Sequence, residues 1–108
     1  MNYSIEMLGV FERQLKHLVK KYPSLKSDLR HLIDSLEKEP EQGTALGKGC
    51  FKIRLAITSK GKGKSGGARV ITCVKIINET VYLLTIYDKS EKDTISNSEL
   101  EGFISLIK

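Results

Sequence analysis

The 108-residue chain has little of several residue types that mark particular classes of protein. It contains no tryptophan, two histidines, two cysteines and two prolines, and no apolar run approaches the ~18 residues of a membrane-spanning helix. Cys50 and Cys73 form no metal-binding pattern, so we expect no metal site and no cofactor. A disulfide could join them across neighbouring strands, but a reducing cytoplasm disfavours it. The N-terminus has no signal-peptide pattern, and we expect one cytoplasmic domain over residues 1–108.

Acidic residues are missing from a long central part of the chain, because none occurs from Gln42 to Asn78. The same window holds eight basic residues, which are Lys48, Lys52, Arg54, Lys60, Lys62, Lys64, Arg69 and Lys75. The whole chain has 18 basic and 13 acidic residues, so the remainder carries ten basic residues against thirteen acidic ones. A positive field concentrated in this way favours a polyanion as ligand, and nucleic acid is the commonest polyanion.

The middle of this window, residues 61–69, reads Gly-Lys-Gly-Lys-Ser-Gly-Gly-Ala-Arg. It does not match the nucleotide-binding loop G-x-x-x-x-G-K-S/T, which precedes a helix, whereas a strand is predicted to follow here. Two interpretations stay open. The segment is either a solvated hairpin loop, or part of a groove in which the loop and the adjoining strands hold a phosphate backbone.

Helical periodicity occurs three times. Apolar residues at helical spacing run from Phe11 to Tyr22 and again from Leu25 to Leu36, so we expect two helices that form a hairpin. Pro23 ends the first helix and Ser24 is the predicted N-cap of the second. A third helix is predicted after Ser96, which forms a capping-box pattern with Glu99. His17, His31 and the charged residues of the first two helices are expected on solvated surfaces.

The remaining segments predict an α+β fold with a mainly antiparallel sheet and the helical hairpin on one face. Strands are expected at Tyr3–Met7, Phe51–Thr58, Arg69–Ile77 and Val81–Tyr87, with a loop over Glu41–Gly49 and a turn at Asn78–Thr80. Alternation places Lys52, Arg54 and Arg69 on the sheet face away from the hairpin. We expect this face to be a basic groove.

The position of Tyr87 depends on the register of the last two strands, which the sequence leaves open. A two-residue turn would pair Val70 with Tyr87 and turn its ring toward the core. A three-residue turn would place Tyr87 on the face of Arg69, with Lys89 beside Arg69. Tyr87 is then either a residue packed on the last helix or a base-stacking residue. Lys89 is either a catalytic residue or a solvated loop residue.

Three stretches together resemble the RelE/ParE superfamily of type II toxins, and most closely its RelE/HigB branch. They are Lys52-Ile-Arg54, the segment from Gly63 to Ile71 that includes Gly-Gly-Ala-Arg-Val, and Leu83-Leu-Thr-Ile-Tyr-Asp-Lys-Ser-Glu91. The resemblance covers nearly the whole chain, since the helical hairpin and the three final strands also fit. It implies the RelE-like fold.

The resemblance also implies a bacterial toxin that cleaves mRNA on the ribosome and is neutralised by a cognate antitoxin, a small protein encoded beside it. We expect the antitoxin to cross the basic face or the helical hairpin. The implied catalytic residues are Arg69, Tyr87, Lys89 and Lys64. The implied RNA-binding residues are Lys52, Arg54, Lys60, Lys62, Lys64 and Arg69.

RNA can be cleaved without a metal ion when its own 2′-OH attacks the adjacent phosphorus. An arginine suits stabilisation of the added negative charge. A lysine or tyrosine can move protons if surrounding positive charge lowers its pKa. No histidine occurs near the C-terminus, so no conventional acid–base pair is present, and we expect strong dependence on the ribosome. The alternatives are a ParE-like gyrase inhibitor that acts by binding, or a non-toxic relative that binds RNA or an antitoxin.

Overall fold

A computed structural model describes residues 2–61, 63–92 and 94–107. In these residues three α-helices accompany one five-stranded sheet. The elements are β1 (Ser4–Met7), α1 (Gly9–Lys21), α2 (Leu25–Lys38), β2 (Thr44–Gly47), β3 (Cys50–Leu55), β4 (Ala68–Lys75), β5 (Thr80–Asp88) and α3 (Asn97–Ile104). A 3-10 turn covers Thr58–Lys60. The sheet order is β1-β5-β4-β3-β2, and only the β1–β5 pair is parallel, which confirms the α+β prediction.

The helical hairpin packs on one face of the sheet, as predicted. Phe11 of α1 and Leu25 and Leu36 of α2 are completely buried. They share one apolar cluster with Val70 of β4 and Leu83 of β5. The helical spacing of the leucines turns them to one side of each helix, and burial of that side holds the hairpin to the sheet.

The opposite face of the sheet is partly apolar and is covered by α3. Leu100 of α3 lies in a second cluster with Ile71, Cys73, Leu84 and Tyr87. This corrects the expectation that the whole face is a basic groove. The strand-end positions on this face are basic, but its middle is apolar because the apolar side of α3 needs a surface to cover.

The capping box of α3 is confirmed. The Ser96 hydroxyl accepts the Glu99 N–H at 3.1 Å, and Glu99 Oε1 accepts the Ser96 N–H at 3.1 Å. Ser24 lies at the N-cap position of α2, as predicted, but its side chain makes no capping hydrogen bond. Its hydroxyl oxygen accepts the N–H of Ser59 at 2.7 Å instead.

A short strand, β2, lies in the segment predicted to be a loop. Thr44 and Ala45 pair with Lys52 and Phe51 of β3. Gly43 precedes the strand at φ +94°, and a Cβ there would lie 2.3 Å from the Lys52 carbonyl oxygen. Only glycine allows so close a crossing of the two backbones, and the strand escaped prediction because glycines surround its four residues.

The β4–β5 hairpin has a four-residue turn, since Lys75 pairs with Thr80. The predicted turn at Asn78–Thr80 is therefore wrong at both ends, because the turn also contains Ile76 and Ile77, whereas Thr80 belongs to β5. Thr72 pairs with Leu83 and Ile71 with Thr85, which leaves Leu84 as the extra residue of a β-bulge. The bulge shifts the register by one residue for the rest of the hairpin.

Gln14 of α1 supplies a hydrogen-bond partner just after this bulge. Its Oε1 atom accepts the Thr85 hydroxyl at 2.8 Å and the Ile86 N–H at 3.1 Å. Because β1 pairs with β5 only as far as Leu83, the side chain of Gln14 takes the place of a neighbouring strand at Ile86.

Candidate functional site

Two arginines and a tyrosine lie in a row across three adjacent strands. Arg54 of β3 is directly opposite Arg69 of β4, and Arg69 is directly opposite Tyr87 of β5. Directly opposite residues of an antiparallel pair project from the same face of the sheet. Arg54 and Arg69 therefore share a face, as predicted. Tyr87 lies on the face of Arg69, and the bulge at Leu84 rather than a three-residue turn places it there.

The guanidinium of Arg69 is buried and holds the Gly/Lys loop, residues 61–67. The side chain is only 4% exposed. Its Nη1 atom donates to the carbonyl oxygens of Lys64 at 3.0 Å and of Ala68 at 3.1 Å, and Nη2 donates to that of Ser65 at 3.3 Å. Arg69 thus fixes the backbone from which the exposed Lys64 side chain projects. Direct contact between Arg69 and a phosphate requires this segment to move.

The exit of the Gly/Lys loop is held against two strands. A Cβ on Gly67 would lie 2.2 Å from the carbonyl oxygen of Leu55, so the close approach requires glycine. The Gly67 carbonyl accepts the N–H of Lys89 at 3.1 Å. This bond brings Lys89, which is exposed, to the same end of the sheet as Lys64.

Asp88 is a buried carboxylate that sequence reasoning missed. It is 1% exposed and accepts hydrogen bonds from Tyr22 Oη at 2.7 Å, Lys60 Nζ at 2.7 Å, Ser90 N at 3.0 Å and Ser90 Oγ at 2.8 Å. Burial alone would raise the pKa of Asp88, but these hydrogen bonds, led by that from Lys60, hold it well below its usual range. Asp88 ties the end of α1, the start of the Gly/Lys loop and the segment after β5 to one point.

Lys60, a predicted RNA-binding residue, is engaged in this cluster. Its side chain is 12% exposed, and its Nζ also lies 5.4 Å from the ring centroid of Tyr22. The hydrogen bond to Asp88 raises the pKa of Lys60, so the pair is ionised. An RNA contact by Lys60 would require the buried ion pair to open.

A second anchor joins the start of the loop to α2. Asp28 accepts the Thr58 N–H at 2.9 Å and the Thr58 hydroxyl at 2.6 Å. Burial opposes ionisation of Asp28, yet the bonds from Thr58 and Ser24 give its carboxyl a lowered pKa. Both ends of the Gly/Lys loop are therefore fixed to the body of the protein.

Tyr87 packs beneath the C-terminal helix. It is 8% exposed and belongs to the apolar cluster that contains Leu100. The Nζ atom of Lys92 lies 5.6 Å from the centroid of its ring. The structure thus shows the packed arrangement, and base stacking by Tyr87 would require its surroundings to rearrange.

The other predicted residues divide by exposure. Arg54, Lys64 and Lys89 are exposed and Lys52, opposite Ile71, is half-buried. Lys62 lies outside the described residues. His17 and His31 are exposed on the helical hairpin, as predicted. We call the group formed by Lys52, Arg54, Lys64, Arg69 and Lys89 the basic site.

Burial without a carboxylate partner makes Arg69 unusual within the basic site. In residues 2–61, 63–92 and 94–107 the ion pairs are Lys48–Glu101, Lys60–Asp88 and Lys92–Glu99. Arg69 is in none of them, and the atoms that accept its guanidinium hydrogen bonds in the described residues are neutral carbonyl oxygens. A buried cation without a counter-charge is costly, and the exposed Arg54 opposite adds to the local positive potential. The arrangement is therefore suited to binding an anion.

This topology defines a RelE-like α+β protein, and solved structures share it. A mutant of the Escherichia coli toxin RelE in the free state has a TM-score of 0.64 at 16% identity, over 100% of both chains. The isolated E. coli RelE toxin gives 0.59 at 18% identity, over 97% of this chain and 99% of that one. The toxin–antitoxin complex RelBE2 of Mycobacterium tuberculosis gives 0.61 at 18% identity, over 82% and 99%.

The sequence identifies the family. The protein-family model for the RelE toxin of the RelE/RelB toxin-antitoxin system matches residues 9–108 of this chain. The chain therefore belongs to the RelE toxin family and is a type II toxin of the RelE/ParE superfamily. None of the described helices is long and apolar enough to cross a membrane.

Proposed function

We propose that this toxin is a ribosome-dependent endoribonuclease that cleaves mRNA in the cytoplasm and is neutralised by a cognate antitoxin. The observation that carries the proposal is the buried cation of Arg69, which has no carboxylate partner in the described part of the chain and lies opposite the exposed Arg54. Family membership supports the proposal. The RelBE2 complex, a toxin bound to its antitoxin, supports the assignment of the partner.

In the proposed reaction the 2′-oxygen of the RNA attacks the adjacent phosphorus, and the bond from phosphorus to the 5′-oxygen breaks. One proton leaves the 2′-OH and one is delivered to the 5′-oxygen. Lys64, Lys89 and Tyr87 are the proposed proton-transfer groups on the toxin, since both histidines lie on the helical hairpin. With no histidine at the basic site, the ribosome has to contribute to orienting the RNA, which accounts for the proposed dependence on it.

The remaining residues of the basic site have electrostatic roles in this proposal. Lys52 and Arg54 neutralise backbone phosphates, a role we also propose for Lys62, which is outside the basic site as defined and outside the described residues. Arg69 stabilises charge at the scissile phosphate, either through its potential from beneath the loop or directly after the 64–65 segment moves. Both routes start from the arrangement in which Arg69 donates hydrogen bonds to three carbonyl oxygens at once. A planar guanidinium can make these bonds together, whereas a lysine ammonium cannot reproduce their geometry.

Primer extension on an mRNA in a reconstituted translation reaction tests the proposal. The wild type should cut inside the reading frame only when ribosomes are present. Arg54→Ala and Lys64→Ala, both at exposed positions, should reduce cutting by at least about tenfold while leaving thermal unfolding unchanged. Lys38→Ala, which removes an exposed cation from the end of α2, is the matched control.

Arg69→Lys separates charge from geometry at the buried position. It keeps the positive charge but cannot bond three carbonyl groups in the same way, so cutting should fall while a folded protein remains. Absence of cuts with the wild type would contradict the proposal. Loss of DNA gyrase supercoiling in the same preparation would then indicate a ParE-like inhibitor.

A further inference from the structure

A groove lies along the open edge of β3, next to the basic site. β2 pairs with β3 only as far as Lys52, so no described strand flanks Ile53–Leu55 on that side. The groove has a volume of about 350 Å³, and sites that hold small molecules have volumes of ~300–1,000 Å³. Two exposed cations of the basic site, Arg54 and Lys64, are part of its lining. We call this space the β3 groove.

One wall of the β3 groove is a face of α2. Asp28, His31 and Ser35 line it, and their spacing of three and four residues places them on the same side of the helix. The carboxylate of Asp28 accepts hydrogen bonds from the N–H and the hydroxyl of Thr58 and from the hydroxyl of Ser24. The negative charge of Asp28 is therefore satisfied within the wall itself.

The bottom of the β3 groove is apolar. Leu32, Ile53 and Leu55 are buried and belong to its lining. A nucleobase has apolar ring faces and an edge that carries hydrogen-bond donors and acceptors. An apolar surface with polar groups at its margin suits such a ligand.

His31 supplies an aromatic ring at the margin of the β3 groove. Its side chain is exposed and makes no hydrogen bond within residues 2–61, 63–92 and 94–107. Bases of single-stranded RNA stack on aromatic side chains, histidine included. The imidazole of His31 is therefore available to a base that enters the groove.

Gln42 supplies a hydrogen-bond acceptor of fixed orientation. Its Nε2 atom donates to the Glu39 carbonyl oxygen at 2.8 Å and to the Ser35 hydroxyl at 3.1 Å. A main-chain carbonyl can only accept, so the contact with Glu39 fixes which end of the amide is the nitrogen. The Oε1 atom accepts no hydrogen bond from the described residues, and Gln42 lines the groove.

We propose that the β3 groove binds one nucleobase of the RNA, beside the phosphate that is held at the basic site. Arg54 and Lys64 belong to both, so a phosphate bound by them leaves the neighbouring base at the groove. His31 stacks on this base, and Gln42 Oε1 accepts an N–H from its edge. This inference rests on the proposed function and assigns a base-binding part to the same site.

The chemistry of the β3 groove favours single-stranded RNA over a protein segment added to the edge of β3. Cations that follow a backbone, together with an aromatic ring that receives a base, are the features of single-strand binding sites. The acceptor on Gln42 also predicts a preference. Adenine and cytosine carry an amino group where uracil and guanine carry a carbonyl oxygen, so the first two should bind better.

Binding of 2′-O-methyl hexanucleotides, which have no 2′-OH and cannot be cleaved by the proposed reaction, tests the inference by fluorescence anisotropy. Three ligands are compared: a cytosine chain, a uracil chain and a sugar-phosphate chain without bases. The wild type should bind the cytosine chain at least about fivefold more tightly than the chain without bases. It should bind cytosine about three- to tenfold more tightly than uracil, because the two pyrimidines have the same size and differ in this group.

Four variants identify the groups responsible, and thermal unfolding shows that each is folded. His31→Ala should lower affinity for the cytosine chain at least about fivefold and leave the chain without bases unchanged. Gln42→Leu should make the cytosine and uracil chains bind equally. Arg54→Ala should weaken all three ligands alike, since it removes a phosphate contact. His17→Ala is the matched control, because this exposed histidine lies on α1 outside the groove and should change no affinity by more than about twofold.

Equal affinity of the wild type for the cytosine chain and the chain without bases would overturn the proposal. An equal loss for both ligands in His31→Ala would overturn it as well, since this would show an effect of charge alone. Normal RNA binding by His31→Ala and Gln42→Leu together with lost antitoxin binding would identify the groove as a protein surface instead. Because these ligands are not cleaved, base-dependent binding without mRNA cutting would reject only the proposed function, and cutting without base-dependent binding would reject only this inference.

Discussion

Asp88→Asn tests how the buried ion pair supports the Gly/Lys loop. Asp88 has a fully buried side chain, and that of its partner Lys60 is 12% exposed. Removing one partner of a buried pair costs about 3–5 kcal/mol. Asparagine keeps one acceptor oxygen, so we expect a loss of about 2–4 kcal/mol in the free energy of unfolding. For a chain of this size that corresponds to a fall in Tm of roughly 8–20 °C.

A double-mutant cycle separates the pair from its surroundings. Lys60→Met alone should also destabilise the protein, because it leaves the Asp88 charge without its cation. The double variant Lys60→Met/Asp88→Asn should be about 1–3 kcal/mol more stable than the sum of the single effects predicts. Glu101→Gln is the matched control, since its ion pair with Lys48 is exposed to solvent and should contribute little to stability.

The pH dependence of this effect has a definite sign. The pKa of Asp88 is lower in the folded protein than in the unfolded chain, so the ionised carboxylate stabilises the fold above about pH 4. This stabilisation is lost as the pH falls from the unfolded pKa toward the folded one. The difference in unfolding free energy between wild type and Asp88→Asn should be constant from about pH 6 to 8 and shrink below about pH 4. A Tm change under about 2 °C at pH 7, or a zero coupling energy, would refute the reasoning.

Three further predictions concern other parts of the structure. Gly67→Ala should strongly destabilise the protein or prevent folding, since the new Cβ would lie 2.2 Å from a carbonyl oxygen of β3. Gly102→Ala, which has open space around it, should leave the melting temperature almost unchanged. Equal melting temperatures of the two variants would contradict this. Gln14→Ala should cost about 1–3 kcal/mol in denaturant unfolding because the N–H of Ile86 loses its acceptor, and an unchanged midpoint would count against that role. Cys50 and Cys73 are free and at most 1% exposed, so a thiol reagent should label neither before denaturation, and rapid labelling of the native protein would show the burial to be wrong.

Local sequence signals predicted the parts of the fold that depend on neighbouring residues. The leucine spacing from Leu25 to Leu36 defined α2, and Ser96 with Glu99 marked the start of α3, because both patterns act within a few residues. The alternation from Phe51 to Leu55 likewise defined β3. These signals and the family resemblance were sufficient for the α+β arrangement.

The missed features depend on contacts between distant residues. The register that places Tyr87 opposite Arg69 results from a bulge at Leu84, which no local pattern marks. Asp88 is one aspartate in a polar segment, and its partners Tyr22 and Lys60 lie 66 and 28 residues away in the sequence. Its role follows from the packing of three elements, which sequence spacing does not show.

The burial of Arg69 was missed for a similar reason. Alternation places the residue on the correct face of the sheet, but the position of the Gly/Lys loop over that face decides whether the guanidinium meets solvent. The carbonyl groups of Lys64 and Ser65 cover it because the loop is fixed at both ends. The exposed Arg54 and Lys64 are therefore the residues that RNA can reach first.

The most direct test of the central claim is to incubate one purified mRNA with the wild-type toxin, with and without translating ribosomes, and to map the 5′ ends by primer extension. The proposed function predicts cuts within the reading frame that need ribosomes and that also form when the toxin has first been treated with EDTA to remove any bound metal. The cuts should decrease with Arg54→Ala and Lys64→Ala but not with Lys38→Ala. Cuts of equal strength with all three variants, or no cuts in either reaction, would contradict it.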